Sequence, residues 1–70
     1  MGATETVYMP LLNEGTEVWA PVVAERIGEG RFRILGPMPD DQEWRFAPGT
    51  VVSVVARRFS GGESALAAIG

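Results

Sequence analysis

Apolar residues occur in short runs along this chain, and turn-forming residues separate the runs. The longest runs cover 7–12, 18–27, 31–35 and 51–59. The first run ends at Asn-Glu-Gly, and Gly-Glu-Gly separates the second run from the third. Asn and Gly supply the positive φ angles that tight hairpins need. The pattern therefore predicts β-strands joined by hairpins rather than helices.

Strict alternation of apolar and polar residues supports this prediction at two places. The sequence Arg-Phe-Arg-Ile over 31–34 places its two apolar side chains on one face of a strand. The sequence Glu-Trp-Arg-Phe over 43–46 alternates in the same way, inside a long Pro-rich segment. We therefore predict that Trp44 and Phe46 point into the core and that Arg45 points outward.

The second run contains Pro21, which cannot donate a hydrogen bond to a neighbouring strand. This position therefore predicts an edge, a bulge or a bend in that strand. If the alternation continues through Pro21, Trp19 and Val23 share its outward face. If a bulge shifts the phase, Trp19 is buried instead. Both alternatives stay open at this point.

The last apolar segment, 64–69, allows two interpretations. Ser60 and Glu63 have the spacing of a helix capping box, and the Ala-rich stretch that follows favours a helix. Six residues are too few for a stable isolated helix, however, and the paired glycines before them suit a hairpin turn. We predict a strand that pairs back onto 54–59 and buries Leu66.

These elements predict an all-β fold, a small five-stranded antiparallel barrel of the SH3-like type. Apart from the long segment 36–49, the connections are too short for parallel crossovers between consecutive strands, so antiparallel pairing is expected. An OB-fold is the weaker alternative, since it needs a longer chain and an internal helix. The whole of 1–70 is then one domain, in which 1–5 form a flexible tail.

Composition restricts the chemistry more than it restricts the fold. The 70 residues contain no His, no Cys and no Lys, and their net charge is -3. These absences exclude Ser-His-Asp triads, Cys-His pairs and zinc sites built on His or Cys. The loop acids Asp40, Asp41 and Glu43 have no calcium-loop spacing and are interpreted as a solvated surface. We therefore predict a protein that is not an enzyme and has no cofactor or metal.

Charge and chain length also indicate which partners to expect. The acidic balance argues against nucleic acid, whose phosphates attract basic surfaces. No apolar run approaches the roughly 20 residues of a membrane helix, and the beginning of the chain does not resemble a secretory signal. We predict a cytoplasmic protein with no membrane partner. Small barrels without disulfides often depend on other subunits, which favours a homo-oligomer or a protein partner.

Three segments resemble a group of short, uncharacterised bacterial proteins. The segments are V-W-x-P-V at 18–22, E-W-x-F-x-P-G-x-V-V at 43–52 and a closing S-G-G turn at 60–62. Those proteins more often have Arg at the position of Ala20 and a more polar strand at the position of 53–56. The resemblance implies a bacterial origin and carries no activity.

The function predicted from these residues is a non-catalytic protein-interaction or self-association module. Five apolar residues with outward or ambiguous orientation form the predicted partner-binding surface: Trp19, Pro21, Val23, Val51 and Val55. An oligomer that binds a small ligand in a shared pore is one alternative. A weak single-stranded RNA binder is another, and its contacts would come from three outward arginines: Arg31, Arg33 and Arg45.

Overall fold

The computed structural model describes residues 3–15, 18–59 and 61–70, and it contains a five-stranded closed β-barrel. The strands follow one another around the barrel in chain order. Their bounds are β1 Thr4–Pro10, β2 Trp19–Gly28, β3 Arg31–Ile34, β4 Val51–Arg58 and β5 Ser64–Ala68. The predicted all-β, SH3-like barrel is confirmed. A membrane-spanning helix is absent from the described residues.

The prediction that every strand pair is antiparallel is wrong for the pair that closes the barrel. Consecutive strands are antiparallel, but β1 and β5 are parallel and pair through Tyr8 and Ala67. An up-and-down chain with an odd number of strands must end in the direction in which it began. The need for a long crossover applies only to consecutive strands, so it does not forbid this closure.

The tail predicted over 1–5 is shorter in the structure, because β1 begins at Thr4. Thr4 and Glu5 pair with Glu25 and Ala24 of β2. The Ala3 carbonyl also accepts a hydrogen bond of 2.8 Å from the Arg26 N–H. Residues 1 and 2 of the predicted tail lie outside the described residues.

The segment 64–69 forms a strand over most of its length, as predicted, and not a helix. β5 pairs with β4 from Val54 and Ala68 at one end to Arg58 and Ser64 at the other. Leu66 is half-buried and packs against the core. Ser60, which together with Glu63 suggested a helix capping box, lies outside the described residues.

The long connection between β3 and β4 is attached to the barrel by Trp44, which is buried as predicted. The alternating segment 43–46 is not a strand, since it makes only an isolated bridge between Trp44 and Leu11. The Leu12 N–H donates to the Glu43 carbonyl and the Arg45 N–H to the Pro10 carbonyl, but Pro10, opposite Arg45, has no N–H with which to continue the ladder. The Trp44 indole donates a 2.9 Å hydrogen bond to Gln42 Oε1, which fixes the ring.

The core fills the inside of the barrel with one inward side chain from every second strand position. No buried side-chain nitrogen or oxygen of the described residues lacks a hydrogen-bond partner. The buried core residues are Val7, Met9, Val22, Ala24, Phe32, Ile34, Trp44, Val52 and Ala68.

Pro21 lies at an open edge of β2, and the pairing with β1 runs through it without a bulge. β2 pairs with β1 over 19–25 but with β3 only from Ala24 onward. The Val23 carbonyl accepts a 3.1 Å hydrogen bond from the Leu35 N–H, so Val23 faces the β3 side. Residues two apart on a strand direct their backbone groups to the same side, so the Pro21 nitrogen also points toward the β3 side. The pairing with β3 begins only at Ala24 and does not reach Pro21. The edge interpretation is confirmed.

We predict that Pro21→Thr promotes aggregation, because it adds an N–H to an open strand edge. Prolines at edges prevent pairing with strands of other molecules. The variant should scatter more light than the wild-type protein as its concentration rises. Val23→Thr is the matched control, since it adds the same side chain at the same edge without a new N–H. Equal scattering by the two variants would contradict the prediction.

Candidate interaction surface

Trp19 lies on the outer face of the barrel and is half-buried there. Its neighbour Ala20 is buried, so the alternation of β2 places Trp19 outward. The indole ring meets the Phe59 ring edge-on, with centroids 5.6 Å apart and an interplanar angle of 77°. Phe59 also contacts Tyr8 at 4.8 Å. We call Tyr8, Trp19 and Phe59 the ring cluster.

The ring cluster lies near the β1–β5 seam, and the burial of Ala67 shows that this part of the outer face is covered. Ala67 pairs with Tyr8 on one side and with Val55 on the other. Its neighbour Ala68 belongs to the core, so Ala67 faces outward. Ala67 is nevertheless only 1% exposed, whereas Val55 is 44% exposed. Trp19 is therefore neither fully exposed nor part of the core. Its side chain faces outward and is partly covered.

Arg57 places its guanidinium 4.8 Å from the centre of the Trp19 ring. This distance is within the range of a cation–π interaction, which contributes about 0.5–1 kcal/mol at exposed sites. Arg45 has a longer contact of 5.8 Å with the Phe46 ring. Arg57 is thereby positioned by Trp19 of β2, and Arg45 by Phe46 of the β3–β4 connection.

A groove of about 400 Å³ opens beside the ring cluster, and we call it the Trp19 groove. Its floor includes the buried Ala68, and its rim includes Ile69, which is 55% exposed. An apolar floor between two guanidinium groups suits a ligand that has both apolar and negatively charged parts. The lining residues are Pro10, Trp19, Arg45, Arg57, Ala68 and Ile69.

The five apolar residues of the predicted partner surface are distributed over more than one part of the barrel. Only Trp19 lines the groove. Pro21 and Val55 lie at the two ends of a row that crosses the outer face through Tyr8 and Ala67.

The remaining two predicted contact residues lie beside this row or away from it. Val23 is 54% exposed and pairs with Thr6 of β1. Val51 pairs with Arg33 on the side of β4 that faces β3. The structure therefore distributes the five residues over the outer faces of β2 and β4 and does not join them into one surface.

The three outward arginines of the RNA alternative do not form one stripe. Arg31 and Arg33 lie on β3, and Arg33 forms a 3.3 Å ion pair with Glu25. Arg45 lies in the Trp19 groove instead, where its N–H donates a 3.0 Å hydrogen bond to the Pro10 carbonyl of β1.

Sequence reasoning missed three contributors to this surface: Phe59, Arg57 and Ile69. One signal was available, because Phe59 and Arg57 have the same parity along β4 as the outward Val55. That the Phe59 ring reaches Trp19 across the β1–β5 seam depends on the closure of the barrel, which local periodicity does not show.

A second, smaller cavity of about 280 Å³ includes inward residues near the β2–β3 hairpin. It is lined by Glu5, Arg26, Gly30, Phe32, Val54 and Leu66. Among the residues that the structure describes, no three acidic side chains come together in a way that could hold a metal ion. Comparison with protein-family models, curated proteins and solved structures finds no match to this chain.

Proposed function

We propose that this chain is a non-catalytic protein-interaction module of the bacterial cytoplasm, and that it binds its partner through the Trp19 groove. The observation that carries the proposal is the combination, in one groove, of an anchored Trp, an exposed Ile and two arginines. Trp and Arg are the residue types that most often dominate binding energy at protein interfaces. Among the described residues, no nucleophile or general base lines the groove, and its Trp and Arg side chains are suited to binding.

The chemistry of the groove defines the segment that it would recognise. An apolar side chain would pack on Trp19 and Ile69, and a neighbouring carboxylate would meet the arginines. Charge-assisted hydrogen bonds to a guanidinium orient such a segment as well as attract it. We therefore propose an extended or looped peptide segment with adjacent apolar and acidic residues.

Selection from a random peptide library on the immobilised protein tests the proposal. The two Trp residues then report the binding position, because Trp44 is buried and hydrogen-bonded while Trp19 lines the groove. Enriched peptides should carry acidic and apolar residues and should shift the NMR signal of the Trp19 indole but not that of Trp44. Failure to enrich any peptide, or shifts confined to the second cavity, would refute the proposal.

We predict that Ile69→Glu weakens the binding of such peptides by about tenfold or more, since it removes an apolar contact and places a carboxylate beside the arginines. Ile27→Glu is the matched control. Ile27 is 43% exposed and lies on β2, roughly 25 Å along the strand from Trp19. Titration with a labelled peptide measures both variants. If both lose affinity equally, the groove is not the binding site.

A further inference from the structure

The connection between β3 and β4 presents an acidic and apolar tip that has the chemistry expected of a groove ligand. Asp40 and Asp41 are exposed, and Met38 is 38% exposed. Two prolines, at 37 and 39, restrict the backbone next to Met38.

The tip is also attached firmly to the barrel. The Gln42 N–H donates a 3.2 Å hydrogen bond to the Pro39 carbonyl, which closes a turn around the two aspartates. The Met38 sulfur accepts a 3.3 Å hydrogen bond from the Trp44 N–H, and Gln42 accepts one from the Trp44 indole. A segment held in this way loses little conformational entropy when it binds.

We propose that the loop tip 37–41 of one copy of this chain binds in the Trp19 groove of a second copy. Asp40 and Asp41 would meet Arg45, and Met38 would pack against Ile69. This inference rests on the proposed function and identifies the partner as the chain itself.

Charge complementarity supports this occupant. Asp40 and Asp41 make no hydrogen bond or ion pair with any described residue, and Arg45 makes no ion pair with any of them. The chain as a whole has a net charge of -3, so two copies repel each other unless an acidic part of one meets a basic part of the other. The loop tip, with its two carboxylates, and the Arg45 side of the groove provide such a match.

The groove and the loop tip are different surfaces, so each copy has one donor and one acceptor site. Reciprocal exchange forms a two-fold dimer, and head-to-tail exchange forms a ring. In both cases a copy with only a working loop can still bind a copy with only a working groove. This property gives the inference a specific test.

The first experiment is sedimentation of the full chain at increasing concentration. The wild-type protein should form dimers or rings, and added salt should weaken them, because exposed charges are screened. Asp40→Asn with Asp41→Asn should weaken association by about tenfold or more. Glu5→Gln with Glu29→Gln removes the same two charges elsewhere on the surface, and this control should change association less than threefold.

The second experiment mixes two variants that each fail to associate alone. One is Arg45→Glu, which keeps the loop, and the other is the Asp40→Asn, Asp41→Asn double variant, which keeps the groove. An equimolar mixture should form a 1:1 dimer. A wild-type chain that stays monomeric up to about 1 mM would overturn the inference.

Three further results would also overturn it. These are a mixture that remains monomeric while the wild-type protein associates, equal weakening by the Glu5 and Glu29 control, and an association that salt does not affect. None of them removes the proposed function, because peptides that bind at the Trp19 indole would still identify the groove as an interaction site. Failure of the peptide selection, in contrast, would leave a self-associating chain and refute only the more general binding role.

Discussion

Trp44→Ala is expected to remove about half of the free energy of unfolding at 25 °C. Replacing a buried Trp by Ala costs about 3–5 kcal/mol in proteins generally. The total stability of a chain of 70 residues is only about 4–10 kcal/mol. Trp44 also holds the long β3–β4 connection through its bridge to Leu11 and its hydrogen bond to Gln42. Its loss should therefore remove both core volume and the attachment of that connection.

Urea denaturation followed by far-UV circular dichroism measures this effect. Trp44→Phe is the graded control, because it keeps an aromatic ring in the core but cannot donate to Gln42. We expect it to be less destabilised than Trp44→Ala and still folded. Arg45→Ala, at the exposed neighbouring position, should change the free energy of unfolding by less than about 0.5 kcal/mol. A Trp44→Ala protein as stable as the wild-type protein would show that the connection is held by other contacts.

Phe59→Ala is expected to have the second largest effect, about 2 kcal/mol of lost stability. Phe59 makes both ring contacts of the ring cluster, and each such pair contributes about 0.5–1.5 kcal/mol beyond its buried area. For a domain of this size, the melting temperature should fall by roughly 8–16 °C. The Trp19 indole should also become more accessible to solvent, because Phe59 covers one of its edges.

Thermal melts and quenching of Trp fluorescence by acrylamide test this prediction together. Phe59→Leu separates the two contributions, since it keeps most of the apolar volume and removes the ring contacts. It should recover about half of the lost stability and leave Trp19 more accessible than in the wild-type protein. If Phe59→Ala melts within 3 °C of the wild-type protein, the ring cluster contributes little to the fold.

The strand pattern was predictable because the main elements follow from local periodicity and turn residues. The alternation around Phe32 and the hairpin glycines give β3 and its turns without any tertiary information. The inward position of Trp44 also follows from alternation, although the strand predicted around it does not form. The pairing stops there because Pro10, opposite Arg45, has no N–H, and a side-chain pattern cannot replace a missing donor on the partner segment.

The candidate surface was less predictable because it depends on the closure of the barrel. Trp19 was identified from sequence, but its contacts with Phe59 and Arg57 join residues about 40 positions apart in the chain. The parallel seam between β1 and β5 brings these residues together, and no short window of sequence contains it. Val51 shows the converse error. Like Val55 it is exposed on β4, but it pairs with Arg33 of β3 and does not line the groove.

The β1–β5 seam gives the groove a further significance. Among the described residues, Tyr8 and Ala67 are the only ones paired across this seam, whereas β1 and β2 pair from Thr4 to Pro10. The Trp19 groove lies across this seam, because Pro10 belongs to β1 and Ala68 to β5. A segment bound there would connect the two strands whose separation opens the barrel. Occupancy of the groove and resistance to opening are then thermodynamically linked, so a partner bound there would stabilise the barrel against separation of β1 and β5.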